Sequence, residues 1–208
     1  MFLPVRTNSF LRDFFVIQAG FACFGFSIAL TIRANLGTAT WSVFEVALAE
    51  ITRLSVGTVT ILVGFSVLVV AVLMRQKIGW GTLANILSIG PWLDLFLWLI
   101  PSSAENLLLQ SGMLLSGVFT QGIASAIYIG VDAGAGPRDS LMLAIQRSSG
   151  MSLRLARGTI EIGVFGLGWA LGGPAGLGTL VFALLIGPAV HWGYKVFNIP
   201  AHSKTDLG

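Results

Sequence analysis

Charge is scarce in this chain. Of its 208 residues only 10% are Asp, Glu, Lys or Arg, against 55% hydrophobic. A soluble domain carries about 25% charged residues, so there are too few here to cover a surface facing water. Cysteine is almost missing too. Cys23 stands alone in an apolar run, which excludes an intrachain disulfide and a thiolate metal cluster. Two histidines leave little material for a zinc site or an intramembrane hydrolase. There is no phosphate-binding loop, no zinc-ligand spacing, no G-x-S-x-G elbow and no G-x-G-x-x-G between strand and helix. We therefore expect no enzyme, no metal and no cofactor, and any energy-coupling ATPase would be a separate chain. The net charge of +3 is no nucleic-acid footprint. The basic residues lie between apolar runs, where they report membrane orientation, so the bilayer and not nucleic acid is the expected partner.

What the chain does have is long apolar runs and 26 glycines, with a mean hydropathy of +0.86. A hydrocarbon core of about 30 Å needs about 20 apolar residues in a helix. Six runs serve: 13–33, 56–74, 79–100, 108–130, 155–172 and 176–197. The fifth is the weakest, because Arg154 and Arg157 crowd its start and must snorkel to the interface. Residues 40–52 and 137–149 are too short and too charged to span, and each follows a glycine break. The first run follows Arg6 and Arg12 as a signal peptide would. It is too long for an h-region, however, and has a counterpart at 110–129, so it reads as a retained helix.

That counterpart belongs to an internal repeat at an offset of 97. Gly79, Gly81, Thr82, Leu83, Leu87, Ile89, Gly90 and Pro91 recur as Gly176, Gly178, Thr179, Leu180, Leu184, Ile186, Gly187 and Pro188. The same offset pairs Gly25 with Gly122, Gly37 with Gly134 and Ser55 with Ser152. Two related halves in an apolar chain are the layout of many transporters.

Orientation follows from the basic residues. With six spans and the N-terminus inside, ten Lys and Arg fall on the inner side and only Arg33 and Arg53 on the outer. Trp80 and Trp192 then lie near inner ends, and Trp98 and Trp169 near outer ends, as interfacial tryptophans do. Three spans per half is an odd number, so the halves enter from opposite sides. The expected fold is an all-α polytopic membrane protein. Residues 1–12 form a cytoplasmic N-terminus, 13–100 the first repeat, 108–197 an inverted second repeat and 198–208 a cytoplasmic tail. The expected location is the bacterial inner membrane.

The segment Ile32–Phe44 reads I-R-A-N-L-G-T-A-T-W-S-V-F, and Gly134–Met142 reads G-A-G-P-R-D-S-L-M. Together with the apolar layout these resemble the YczE/YyaS-type bacterial membrane proteins, which are related to the YitT group. The resemblance implies an integral membrane protein without an established molecular activity. The chain departs from the family's P-W-D in the first half, where it has Thr40, Trp41 and Ser42.

Pro137 suits the first turn of a helix, and Asp139 beside it is favoured by the helix dipole. Arg138 is left to reach an anion. Arg33, Asn35 and Trp41 occupy the corresponding region of the first half. Two short helices whose N-termini line a cavity are one reading; capping and interfacial anchoring are the other. Glu161, one turn into the fifth run, is either a functional intramembrane charge or an i,i+4 partner of Arg157. Asp94 and His191 share a repeat position, but inversion separates them along the membrane normal, so they read as two independent interfacial groups. The expected substrate-binding set is Arg33, Asn35, Trp41, Arg138, Asp139 and Glu161. The expected activity is transport of a small solute or ion. The alternative is a non-transporting binding subunit or scaffold that works with an ATPase module, another membrane protein or a second copy.

The topology is open to cysteine labelling. Cysteines placed near Gln76 and Gly150 should both be modified from inside, and one near Ser103 from outside. Labelling of Gln76 and Gly150 from opposite faces would overturn the six-span layout.

Overall fold

The computed structural model describes residues 9–102 and 106–197. The expected cytoplasmic tail, Arg6 and Ser103 lie outside them. The described residues form eight α-helices and no strand: α1 (Phe10–Ala34), α2 (Thr40–Thr52), α3 (Val56–Leu73), α4 (Trp80–Leu99), α5 (Leu107–Gly130), α6 (Pro137–Ser149), α7 (Leu153–Ala170) and α8 (Leu177–Val196). Five of them, α1, α3, α4, α5 and α8, are long and apolar enough to cross a membrane. α7 has the length, but Arg154, Arg157 and Glu161 dilute its apolar character. Large apolar side chains cover the outside of the long helices, with Leu108 at 84% and Leu177 at 79% exposure. A surface of that kind is stable against lipid and not against water.

The repeat is written into the backbone. Eight described residues have positive φ, and they fall into four pairs 97 apart: Asn35 and Asp132, Gly37 and Gly134, Arg53 and Gly150, Arg75 and Gly172. Helix starts repeat as well. The hydroxyls of Ser55 and Ser152 accept the backbone N–H groups of Thr58 and Leu155, capping α3 and α7. Thr82 and Thr179 accept the N–H of Gly79 and Gly176 at 3.3 Å, closing the first turns of α4 and α8.

Each half also completes the other. The N–H of Gly178, at the start of α8, donates to Leu36 O at 2.7 Å in the loop between α1 and α2. The N–H of Gly81, at the start of α4, donates to Ala133 O at 2.9 Å in the loop between α5 and α6. Gly37 (φ 102°) and Gly134 (φ 118°) make this clasp possible. A Cβ on Gly37 would lie 2.6 Å from Gly176 N, and one on Gly134 would lie 2.7 Å from Gly79 Cα. Both positions need a left-handed backbone and a missing side chain together.

The core is the crossing of α1 and α5. Gly20 faces Ala124 and Ile127, while Ser27 and Thr31 face Gly117. The numbers fall on one helix as they rise on the other, so the two helices run antiparallel. Small residues bring the backbones together, and packing in place of a hydrophobic drive holds helices in lipid. The Ser27 hydroxyl donates to Gly117 O at 2.8 Å across this crossing. α4 leans on α1 where Gly25 meets Trp92 and Leu93, and α8 leans on α5 where Gly122 meets Ala189 and Val190. A second layer joins α2 to α7 and α3 to α6.

One seam is not repeated. α3 and α4 pack closely, with Gly57 against Gly90, and the Asp94 carboxylate accepts the Ser55 hydroxyl at 2.6 Å and the Gly57 N–H at 2.7 Å. No comparable packing joins α7 to α8. Gly187, the repeat partner of Gly90, has nothing within 4 Å of where its Cβ would stand. The cause is legible 97 residues on, where Arg154 replaces Gly57 and Glu161 replaces Gly64. His191, the partner of Asp94, is exposed.

The seam makes a controlled prediction. Gly90→Ala would place a Cβ 2.4 Å from Gly57 O, whereas Gly187→Ala meets open space. Both residues precede a proline, so that effect cancels. Gly90→Ala should cost about 1–3 kcal/mol of overpacking, and Gly187→Ala should stay within about 0.5 kcal/mol of the parent. Unfolding midpoints in mixed detergent would read the difference.

Candidate functional site

The clasped loops set where α2 and α6 begin. Each short helix starts inside the protein, and both N-termini open on one cavity of about 420 Å³ between the two layers. Ala39, Thr40 and Trp41 line it from α2, and Gly136, Pro137, Arg138 and Asp139 from α6. Pro137 begins α6 because a first-turn residue needs no N–H donor. The remaining walls come from α1 (Phe24, Ile28), α3 and α4 (Thr60, Gly64, Asn85), α5 (Gln121, Ser125, Tyr128), α7 (Arg157, Ile160, Glu161) and α8 (Phe182, Ala183, Ile186, Val190, Tyr194).

Trp41 and Arg138 are repeat partners, and they touch. The guanidinium carbon of Arg138 lies 4.6 Å from the centroid of the Trp41 ring, a cation–π contact. Arg138 also meets Glu45, one turn further along α2, with N–O at 2.5 Å. The Glu45 side chain is 1% exposed and that of Arg138 35%. The second Glu45 oxygen accepts the Thr60 hydroxyl of α3 at 3.0 Å. A buried carboxylate held by a guanidinium, a hydroxyl and an adjacent aromatic face is satisfied as a buried charge must be.

Glu161 takes the second polar link. Its carboxylate accepts the Thr40 hydroxyl and so joins α7 to the first residue of α2. Glu161 also lines the cavity, and no ion pair with Arg157 is present among the described residues. Asp139 lines the cavity and is exposed to it. Burial pushes its carboxyl above the ordinary carboxylate range; Arg157 and then Arg138 oppose that push, and Glu161 adds to it. The Tyr128 hydroxyl donates to Gly134 O at 2.6 Å and so ties the α6 loop to the end of α5.

Trp41, Arg138, Asp139 and Glu161 are thus brought together from α2, α6 and α7. Arg33 and Asn35 stand elsewhere. The Arg33 guanidinium donates to Leu97 O near the C-terminus of α4, where a cation is favoured by the exposed carbonyls. Asn35, at φ 55°, is the left-handed cap of α1, a role that suits asparagine. Glu45 is the group that sequence reasoning missed. Its charge in a short segment argued only against spanning. A signal was present, since Glu45 lies four residues after Trp41 and therefore on the same helical face.

The Glu45–Arg138 pair is testable through its asymmetry. Arg138→Ala strands a buried carboxylate and should destabilise the protein by about 3–5 kcal/mol. The double change Glu45→Gln with Arg138→Gln should recover most of that loss. Equal destabilisation by single and double variants, in thermal unfolding, would contradict the pairing.

Comparison with known proteins follows the same outline. An uncharacterized protein of Haemophilus influenzae is 34% identical over 170 residues, which are 81% of this chain and 77% of that protein. The uncharacterized membrane protein YczE of Bacillus subtilis is 32% identical over 176 residues, covering 81% of this chain and 79% of its own. YyaS of Bacillus subtilis is 27% identical, covering 83% and 87%. No solved structure matches. Residues 11–195, which hold all eight helices but for the ends of α1 and α8, match the family described as of unknown function, DUF6198. With its apolar outer surface and these relatives, the chain is an integral membrane protein that belongs to the DUF6198 family, together with proteins of the YczE and YyaS type.

Proposed function

We propose that the protein is a carrier of a small polar solute or ion, built from six spans in two inverted repeats. The spans are α1, α3 and α4 in the first repeat and α5, α7 and α8 in the second. α2 and α6 enter from opposite sides without crossing. The antiparallel crossing of the repeat-related helices α1 and α5 supports inversion, and so do the ten basic residues on one side against two on the other. α7 is included although it carries three charges, because Glu161 faces Thr40 and the cavity, while Arg154 and Arg157 lie in its first turn and a half. Both termini are cytoplasmic in this reading, and the membrane is the bacterial inner one.

One observation carries the proposal. Two short helices at repeat-related positions bring their N-termini to one cavity, flanked by Glu45, Arg138, Asp139, Arg157 and Glu161. Isolated charges in a membrane are costly, on the order of 2.5–3.5 kcal/mol each even on insertion scales. Five ionisable groups around one cavity are more than anchoring requires. Half-helix N-termini near the midplane are how transporters hold anionic groups of a solute. The chain acts without covalent chemistry, as a binding and translocating protein and not as an enzyme.

A second reading is a binding subunit that requires a partner. The α3–α4 seam cannot be copied by α7 and α8, because Arg154 carries a side chain where Gly57 has none. A protein with one fixed seam and one open seam is less suited to exchanging its two sides unaided. Proteoliposomes holding only this chain decide between the readings. A panel of radiolabelled amino acids, amines and organic anions should show uptake of at least one class. Asp139→Asn and Glu161→Gln should each lower that uptake by about tenfold, the loss of roughly one charge-assisted contact. No uptake of any class, with co-purification of an ATPase from the native membrane, would overturn the carrier reading and support the subunit.

A further inference from the structure

The open seam has a chemistry of its own. α7 and α8 both line the cavity and do not pack closely on each other. Ile160 and Glu161 line the cavity from α7, and Ala183, Ile186 and Val190 line it from α8. Ala183, on the α8 side, is exposed. The matching place in the first half is shut by Gly57 against Gly90, and any Cβ there would lie within 2.4 Å of the opposing carbonyl oxygen. The gap is thus built into the sequence by Arg154 and Glu161.

The lining from α7 and α8 is both charged and aliphatic, with Arg157 and Glu161 beside Ile160, Ala183, Ile186 and Val190, and with Tyr194 near the end of α8. Arg157 and Asp139 both line the cavity, one from α7 and one from the start of α6. Neither belongs to an ion pair among the described residues. Arg138 and Glu161, by contrast, are held by Glu45 and Thr40. A ligand filling this path needs one anionic and one cationic group at its inner end and an apolar body behind them.

We propose that the gap between α7 and α8 is a lateral entrance from the bilayer for a single-chain amphiphile with a zwitterionic headgroup. The head's phosphate or carboxylate lies on Arg157, which offers paired N–H donors. Its ammonium lies on Asp139. The tail runs along Ile160, Ile186 and Val190, with its remainder in the lipid. A cavity of about 420 Å³ holds the head and the first part of such a chain. This inference rests on the reading of the cavity as a solute site.

The test uses the full chain in mild detergent, titrated by native mass spectrometry. The probes are lysophosphatidylethanolamine, lysophosphatidylglycerol, whose head is anionic only, and phosphoethanolamine, which has no tail. The zwitterionic lysolipid should bind about tenfold more tightly than the anionic one. Asp139→Asn should abolish that preference. Ala183→Leu, which narrows the gap from an exposed position and should leave the unfolding midpoint unchanged, should weaken lysolipid binding by about tenfold. Equal binding of both lysolipids, indifferent to Asp139→Asn, would mean annular lipid only and would overturn the proposal. So would phosphoethanolamine binding as tightly as its lysolipid, or Ala183→Leu splitting a dimer without changing lysolipid binding. Lysolipid binding as expected in a protein that moves no solute would overturn the carrier reading alone. Solute uptake with no lysolipid preference would overturn the lateral entrance alone.

Discussion

The rest of the structure depends on the clasp between loops and helix starts. The turn around Gly37 sits on the first residues of α8, and the turn around Gly134 sits on the first residues of α4. Each bond satisfies an N–H that a helix start leaves without an intrahelical partner. In lipid no water could take its place. The clasp therefore locks the two halves together and, in the same stroke, decides where α2 and α6 begin. Their first turns point at the cavity because the loops before them are pinned to the opposite half.

On that symmetric frame the chemistry is asymmetric. Ser42 is matched by Asp139, Glu45 by Met142, Gly57 by Arg154 and Gly64 by Glu161. Trp41 and Arg138 are matched to each other, and they meet as ring and cation. A strictly symmetric cavity would place like beside like, charge against equal charge. Divergence at these few positions gives the Arg138 guanidinium a buried carboxylate partner in Glu45 and gives Glu161 a hydroxyl. It also leaves one seam shut and one open. The same substitutions that supply charge to the cavity keep α7 from closing on α8.

Much of the frame was legible before the structure. The two short helices begin and end where glycine breaks, Pro137 and the run lengths put them. The repeat offset anticipated which turns would share a backbone conformation, because Gly37 and Gly134 occupy positions that few other residues can. The site was legible in part. Arg138, Asp139, Trp41 and Glu161 stood out as charges or aromatics at helix starts and inside an apolar run. Glu45 did not, since a carboxylate in a short amphipathic segment is ordinarily solvated. Arg33 and Asn35 drew attention through the same motif as Trp41. One holds the end of α4 and the other caps α1, tasks that a linear motif does not separate from ligand binding.

Composition, run length and the spacing of glycines by themselves determined an all-helical membrane protein of two related halves. They act locally: helix formation in lipid needs only apolar length, and a left-handed turn needs only a glycine. Which side chains share the cavity was decided by tertiary structure alone. Glu45 and Arg138 are 93 residues apart, and Thr40 and Glu161 are 121 apart. Their meeting depends on loops of one half seated on helices of the other. The open seam is of the same kind. Arg154 in place of Gly57 is a single difference in the sequence, but its effect is measured by how close a facing helix can come.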